Sequence, residues 1–311
     1  MTLLAETRVE DTQAVAAQPG RLRETARSIL TQRSAVIGLA ILVAFALVAI
    51  FADQLAPFGP YEDFIGEPGV RTRGGPCIHI LGCPQEQTEH WFGLDGNARD
   101  LYSRVIHGTR ISLVIGFLTV GVAIVIGSFC GAIAGFVGGR VDTLIMRLMD
   151  VLLVFPALLL AIAIVTVFGK GLVNAALAVG LVAIPIYARI TRASILTTRE
   201  QDYVVASRAL GESQKGLLFR RVLPNSLTPI LVAGTLGIGT AVLEIAALSF
   251  LGLGAAPEVP EWGGMIGREG NSVFSAPHLL IFPGIALTLT VLAYNLLGDG
   301  VRDALDPRLH R

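Results

Sequence analysis

Few residues in this chain have chemical capacity, and most of those lie near apolar runs. Arg147 and Asp150 stand three apart in GGRVDTLIMRLMDVLLVFPALLLAI (138–162). On a helix that spacing puts them on one face, so they are expected to pair and lower the cost of charge near lipid. Glu244 is the one acid deep inside an apolar stretch. An ionisable group there either faces a transport path or is held by hydrogen bonds in a structural role. Cys77 and Cys83 sit in PCIHILGC with five residues between them. In an oxidising compartment they can close a small disulfide ring. A zinc site with His79 and His90, or two free thiols, are the alternatives, although the spacing is not C-x-x-C. Cys130 reads as a packing residue. There is no G-x-x-x-x-G-K-[ST], no H-E-x-x-H and no G-x-S-x-G with a plausible histidine. The chain is therefore expected to hold no catalytic residue, no metal and no nucleotide.

The elements that carry these residues follow from composition. Of 311 residues, 53% are hydrophobic and only 15% charged, with a mean hydropathy of +0.66. A soluble domain carries about 25% charged residues, so the chain reads as an all-α polytopic membrane protein. The formal net charge is zero, which gives no basic field for nucleic acid. Thirty-five glycines suit close helix–helix approach in lipid. Runs free or nearly free of charge cover 34–52, 111–139, 151–169, 171–188, 222–243 and 271–298. An apolar core of ~30 Å needs about 20 helical residues, so six transmembrane helices are expected. The third and fourth meet at Gly169-Lys170-Gly171 in a tight hairpin. Expected boundaries are a polar tail (1–33), the first span (34–55), an outer loop with the cysteine insert and an amphipathic helix (56–108), a five-helix core (109–300) with a cytoplasmic elbow over 198–225, and a short tail (301–311).

Charge orients the spans. With both ends in the cytoplasm, seventeen of the 24 lysines and arginines fall on the inner side, as the positive-inside rule favours. The first thirty residues carry Glu6, Glu10, Asp11 and Glu24 and lack the apolar region of a cleavable signal peptide.

That topology leaves DYVVASRALGESQKGLLFRRVLPN (202–225) in the cytoplasm. Thr198 and Gln201 can form a capping box, and Gly211 an αL stop. A second helix is expected over 213–222, ending near Pro224. This basic helix–turn–helix elbow offers Tyr203, Leu210, Leu217, Leu218 and Phe219 as apolar contacts. It either lies on anionic lipid or docks a cytoplasmic partner.

At these residues the chain resembles the permeases of ABC importers, whose cytoplasmic loop reads E-A-A-x-x-x-G-x9-I-x-L-P. Ala206, Gly211, Leu223 and Pro224 match by identity, while Val205, Ser207 and Arg221 replace the Glu, the second Ala and the Ile. HWFGLDGNARDLYSRVIHGTRISL (90–113) is similar to the stretch leading into the second span of dipeptide and oligopeptide permeases, with Leu94 and Ala98 in place of its Thr and Gly. Residues 138–162, including Arg147, Asp150 and Pro156, resemble that family's third span. ALSFLGLGAAPEVPEWGGMI (247–266) resembles its outer loop, and DALDPRLHR its C-terminal ending.

The resemblance implies a type I ABC-importer permease fold in a bacterial inner membrane, taking up di- or oligopeptides. Nickel chelates, glutathione or oligosaccharides are the alternatives within the family. It implies a homologous second permease completing the pore, and two cytoplasmic ATPases that bind ATP and Mg. It further implies an extracytoplasmic binding protein. The ATPases are expected at Tyr203, Ala206, Ser207, Leu210, Gly211, Leu217, Phe219, Leu223 and Pro224. The binding protein is expected near Asp95, Arg99, Asp100, Glu261 and Trp262, although Trp262 can also serve as an interfacial anchor. A stand-alone secondary transporter would need inverted repeats and clustered intramembrane ligands, and neither is found.

Two further patterns concern packing. Gly127, Gly131 and Gly135 recur every fourth residue, a stripe along which two helix backbones can approach. Pro156 and Pro185 lie inside apolar runs and are expected to bend them.

Overall fold

The computed structural model describes residues 30–305. The N-terminal tail through residue 29, with its basic residues up to Arg27, and the D-P-R-L ending lie outside the described residues. Long helices dominate: α1 (Arg33–Ile50), α2 (Leu101–Val137), α3 (Gly139–Val154), α4 (Ala157–Phe168), α5 (Leu172–Thr198), α6 (Asp202–Ala209), α7 (Leu227–Phe250), α8 (Trp262–Glu269) and α9 (His278–Leu305). Among the described residues only isolated β-bridges occur, all in the outer loop. Five helices are long and apolar enough to cross a membrane, and the bent pair α3–α4 makes a sixth candidate.

The spans depart from the sequence boundaries for identifiable reasons. The amphipathic helix expected before residue 109 is the first turns of α2. Asp100 starts it by accepting a hydrogen bond from the Ser103 backbone at 2.7 Å, as an N-cap should. The third run is not a straight span. Phe155 and Pro156 take extended backbone angles and the chain turns 92° between α3 and α4. Proline lacks an N–H and pushes its predecessor out of the helical region, so the bend foreseen at Pro156 is a full break. Pro185 remains buried inside an unbroken α5. That helix of 27 residues is ~40 Å long, about 10 Å more than the apolar core requires. Its last turns carry Arg189 and Arg192 near the edge of that core, and Arg199 caps the helix beyond it.

The bundle is organised by small residues. A Cβ on Gly127 would lie 2.7 Å from the Ile184 carbonyl, and one on Gly135 2.9 Å from that of Arg192, both on α5. A Cβ on Gly131 would collide with the Ala188 carbonyl between them. The glycine stripe thus joins α2 to α5 backbone to backbone. A smaller version joins α1 to α9, where Gly38 faces the Ala293 carbonyl and Gly300 faces Ala35. The expected hairpin forms at Gly169 and Gly171, both with positive φ, and Asn174 Nδ2 donates to the Phe168 and Gly169 carbonyls. The main core gathers Val120, Val165, Val179, Tyr187, Val242 and Ile245 from α2, α4, α5 and α7.

Candidate functional site

The elbow is built from local rules. Gln201 is extended and caps α6 without a side-chain hydrogen bond, so the expected Thr198–Gln201 capping box does not form. Thr198 is drawn elsewhere: its Oγ1 lies 3.0 Å from Ser226 Oγ, which also lies 2.8 Å from the Val222 carbonyl. Gly211 takes φ +84°. The Glu212 N–H returns to the Ser207 carbonyl and the Gly211 N–H to that of Arg208, both at 3.1 Å, a complete Schellman stop. Ser213 then caps the next turn through the Gly216 N–H at 3.2 Å.

Pro224 does not end that second segment. Residues Leu217–Val222 widen into a π-turn and the chain continues helically through Leu223–Asn225. The wider turn accommodates a proline that cannot donate. Asn225 Nδ2 satisfies the Arg221 carbonyl at 2.6 Å. Arg221, standing where the motif has Ile, pairs with Glu212 at 3.1 Å and ties the two arms together.

Burial divides the residues expected to dock a partner. Leu217 is fully buried with Val204 and Val222 against Ala132 of α2 and Ile195 of α5, so it anchors the elbow and does not present a contact. Ser207 is half-buried, its hydroxyl donating to the Tyr203 carbonyl, and Leu223 is half-buried as well. Tyr203, Ala206, Leu210, Gly211, Phe219 and Pro224 are exposed. Leu210 is 89% exposed and Phe219 59%, a large apolar display on a basic segment. Val205, where the motif has Glu, is exposed too. Partial burial pushes the Tyr203 phenol up, while the Asn225 side chain pulls it back.

At the end of the bundle away from the elbow the structure reassigns most of the residues expected to meet a binding protein. Asp100 is 1% exposed, and while one of its carboxylate oxygens caps α2 the other meets His90 Nδ1 at 2.9 Å. Asp95 accepts from the Asn97 and Arg99 backbones and faces buried Arg104 at 3.3 Å. Ala98, where the motif carries Gly, holds φ +53°, which accounts for the family's glycine. Glu261 is buried and caps α8 through the Gly263 and Gly264 N–H groups at 2.9 and 2.8 Å. Burial pushes its carboxyl up, and those two hydrogen bonds pull it back. Trp262 is completely buried and donates from Nε1 to the Val105 carbonyl at 3.1 Å. Asp100, Glu261 and Trp262 are therefore internal brackets holding the outer loops on α2. Only Asp95 and Arg99 keep partial exposure.

Cys77 and Cys83 form the disulfide, with their Cα atoms 5.3 Å apart. Their ring lifts Ile80 and Leu81 into solvent, 94% and 80% exposed, a display the sequence reading passed over. The cavity beside it, about 770 Å³, is lined by Arg71, Pro76, Ile78 and Gln87 among others. No group of His, Cys, Asp and Glu suited to a metal occurs among the described residues.

The intramembrane charges are also rearranged. Asp150 meets Arg189 of α5 at 2.6 Å, not Arg147. Arg192 grips Asp142 with two hydrogen bonds of 2.5 and 2.6 Å, a pair the sequence reading missed. Its signal was available, because Asp142 and Asp150 are two turns apart on one helix and Arg189 and Arg192 one turn apart on another. Glu244 is part-exposed, and among the described residues no hydrogen bond or ion pair reaches it. Of the two roles expected from sequence, the hydrogen-bonded one finds no hydrogen-bond partner among the described residues, although the charge of Glu244 acts on the buried Tyr187 phenol of α5.

A membrane bundle with a glycine-seamed core and an apolar elbow beyond one end is the framework of a transport subunit. Comparison with known proteins assigns it more closely. Residues 123–311 match the family described as "Binding-protein-dependent transport system inner membrane component", and residues 20–68 match the "N-terminal TM domain of oligopeptide transport permease C". The chain is 42% identical to the dipeptide transport system permease protein DppC of Alkalihalophilus pseudofirmus, covering 92% of this chain and 90% of that one. It is equally identical to the di/tripeptide permease DppC of Pseudomonas aeruginosa (94% and 93% covered) and to the glutathione permease GsiD of Pectobacterium atrosepticum (92% and 91%). A solved chain of the inward-facing MetNI methionine ABC transporter superposes with a TM-score of 0.56 at 19% identity, over 66% of this chain and 98% of that one. It shows the shared fold. The chain belongs to the family of binding-protein-dependent transport system inner membrane components, and is a membrane permease of a bacterial ABC importer. Membership makes it a transport subunit that works with ATPase and substrate-binding partners.

Proposed function

We propose that this permease takes up di- or oligopeptides, forms half of a pore with a homologous second permease, and couples to two ATPases through the 202–225 elbow. The observation that carries the coupling is the exposed apolar surface of Tyr203, Val205, Leu210 and Phe219, mounted on a segment whose base is locked to α2 and α5 by Leu217, Val204 and Ser226. ATP and Mg bind to the partner ATPases, whose closure moves the elbow. The bundle follows by rigid-body rocking between inward- and outward-facing states. Both termini lie in the cytoplasm, as the distribution of basic residues supports. An extracytoplasmic binding protein delivers the peptide to the side carrying the Cys77–Cys83 ring.

The elbow test uses Leu210→Asp with Phe219→Asp in the assembled importer. Both side chains point into solvent, so the spans remain folded while ATPase co-purification and uptake fall at least tenfold, about 1.4 kcal/mol of lost docking. Full co-purification with normal uptake would sink the docking claim. A second reading, glutathione as cargo, is favoured by the relative from Pectobacterium atrosepticum, at the same identity as the peptide permeases. Competition between labelled dipeptide and glutathione with the cognate binding protein decides between them.

A further inference from the structure

Helix α7 buries one side and leaves the other open. Gly234, Ile238, Val242, Ile245 and Ser249 turn into the bundle. A Cβ on Gly239 would lie 3.3 Å from Tyr294 of α9, so that flank is closed as well. On the far side Thr240, Leu243 and Leu251 are exposed, with Glu244 and Ala247 part-exposed among them. Thr240, Glu244 and Ala247 follow one another at spacings of four and three, which stacks them along one helical face.

Glu244 lies six residues inside the outer end of α7, about 9 Å of helix. A carboxylate at that depth is not tolerated against lipid tails, and such groups face protein or a water-filled cavity. Its own bundle supplies neither a hydrogen bond nor an ion pair among the described residues; the buried phenol of Tyr187 on α5 interacts with its charge without bonding to it. The small side chains of Thr240 and Ala247 beside it leave space instead of filling it. An unpaired acid on an open, partly polar face, in a protein whose work is to pass a solute, is suited to a cation that comes and goes.

We propose that the Thr240–Glu244–Ala247 face of α7 lines the translocation path, and that Glu244 is a binding site there for the cationic group of the solute, a primary ammonium such as a peptide's amino terminus. The ammonium assignment rests on the peptide reading above; the path assignment does not. Leu243 and Leu251 flank the acid with apolar surface, so on this face charge is what distinguishes one solute from another.

The test uses the complete importer in membranes, turning over ATP, with Cys130→Ala as background and Thr240→Cys as reporter. Membrane-impermeant thiol reagents of opposite charge are compared. The cationic reagent is expected to react about tenfold faster than the anionic one, because a carboxylate in a narrow aqueous path concentrates cations. That ratio falls toward one in Thr240→Cys/Glu244→Gln. Failure of Thr240→Cys to react, or a ratio indifferent to Glu244→Gln, overturns the path assignment. In uptake, Glu244→Gln lowers transport of a dipeptide with a free amino terminus about tenfold, and Glu244→Asp restores part of it. Uptake unchanged in Glu244→Gln, or a loss that Glu244→Asp does not relieve, overturns the ammonium site. An importer that moves no peptide yet keeps the charge-dependent labelling would refute the cargo reading and leave the path standing.

Discussion

Helix α5 meets α2 through backbone and meets α3 through charge. On the α2 side, Gly127, Gly131 and Gly135 lie against the carbonyls of Ile184, Ala188 and Arg192, and Thr191 donates to Ser128 at 3.1 Å. At the elbow end of α5 Arg199 reaches the Gly135 carbonyl at 2.8 Å. On the α3 side the link is Asp142–Arg192 and Asp150–Arg189, and α3 buries only Met149. The first interface fixes one geometry, because packed backbones have nowhere to go. The second can part and re-form without opening a core. Since the elbow follows directly from α5, the coupling proposed above would carry α2 and α5 as one body and pull α3 through two ion pairs.

The largest expected effect breaks the rigid side. Gly131→Leu drives a branched side chain into the Ala188 carbonyl, and no flexible neighbour can yield. Overpacking of this kind costs about 3 kcal/mol or more, so the variant is expected to lose its monodisperse peak in detergent and all uptake. Gly121→Leu is the control. A Cβ there meets nothing within 4 Å, and both measurements should match the parent. Equal behaviour of the two variants would mean that the α2–α5 seam is not the fixed element.

A smaller effect sharpens the other side. Asp142→Asn leaves Arg192 without its carboxylate, in a pair whose side chains are 34% and 18% exposed for Arg192 and Asp142. Solvent at the arginine keeps the cost to about 1 kcal/mol. The assembled protein should survive while hydrogen exchange speeds up along α3, with α2 and α5 unchanged and uptake reduced. Reversing the pair (Asp142→Arg with Arg192→Asp) is expected to recover much of both. Exchange accelerating equally in α2 and α3 would erase the contrast between the interfaces.

The same contrast governs what the sequence discloses. The glycine stripe is legible because a spacing of four and a missing Cβ are properties of one strand of text, and its partner carbonyls need no particular side chain. The apolar runs are legible for a similar reason, since the cost of charge in lipid depends on depth and not on neighbours. Gly211 and its αL stop fall in the same class. Spacing alone pairs Arg147 with Asp150, but Arg189 approaches from another helix, and one-dimensional spacing cannot see it. The loop sequence around Trp262 and Glu261 points to an outer surface, and the fold turns that segment inward as a cap on α2. Pro224 marked a stop that a π-turn and the side chains of Asn225 and Ser226 remove. Residues whose role depends on themselves were readable; those whose role depends on a distant partner were not.

The smallest effect tests how far the charged interface is open to water. Asp150 and Arg189 are both about half exposed, 52% and 53%. Arg189 stands seventeen residues along α5, about 26 Å from its outer end, near the inner edge of an apolar zone of ~30 Å. An ion pair so placed competes with water and is worth about 0.5 kcal/mol or less. Asp150→Asn should therefore leave detergent stability and α3 exchange close to the parent, and the small residual effect should shrink further as salt is raised, because exposed pairs are screened. If Asp150→Asn instead matches Asp142→Asn in cost and ignores salt, the pair is shielded in the working assembly. The exposed side of α3, where Leu144, Leu148 and Val151 stand unpartnered, would then be covered, and α3 would be held from both sides and not hinged on one.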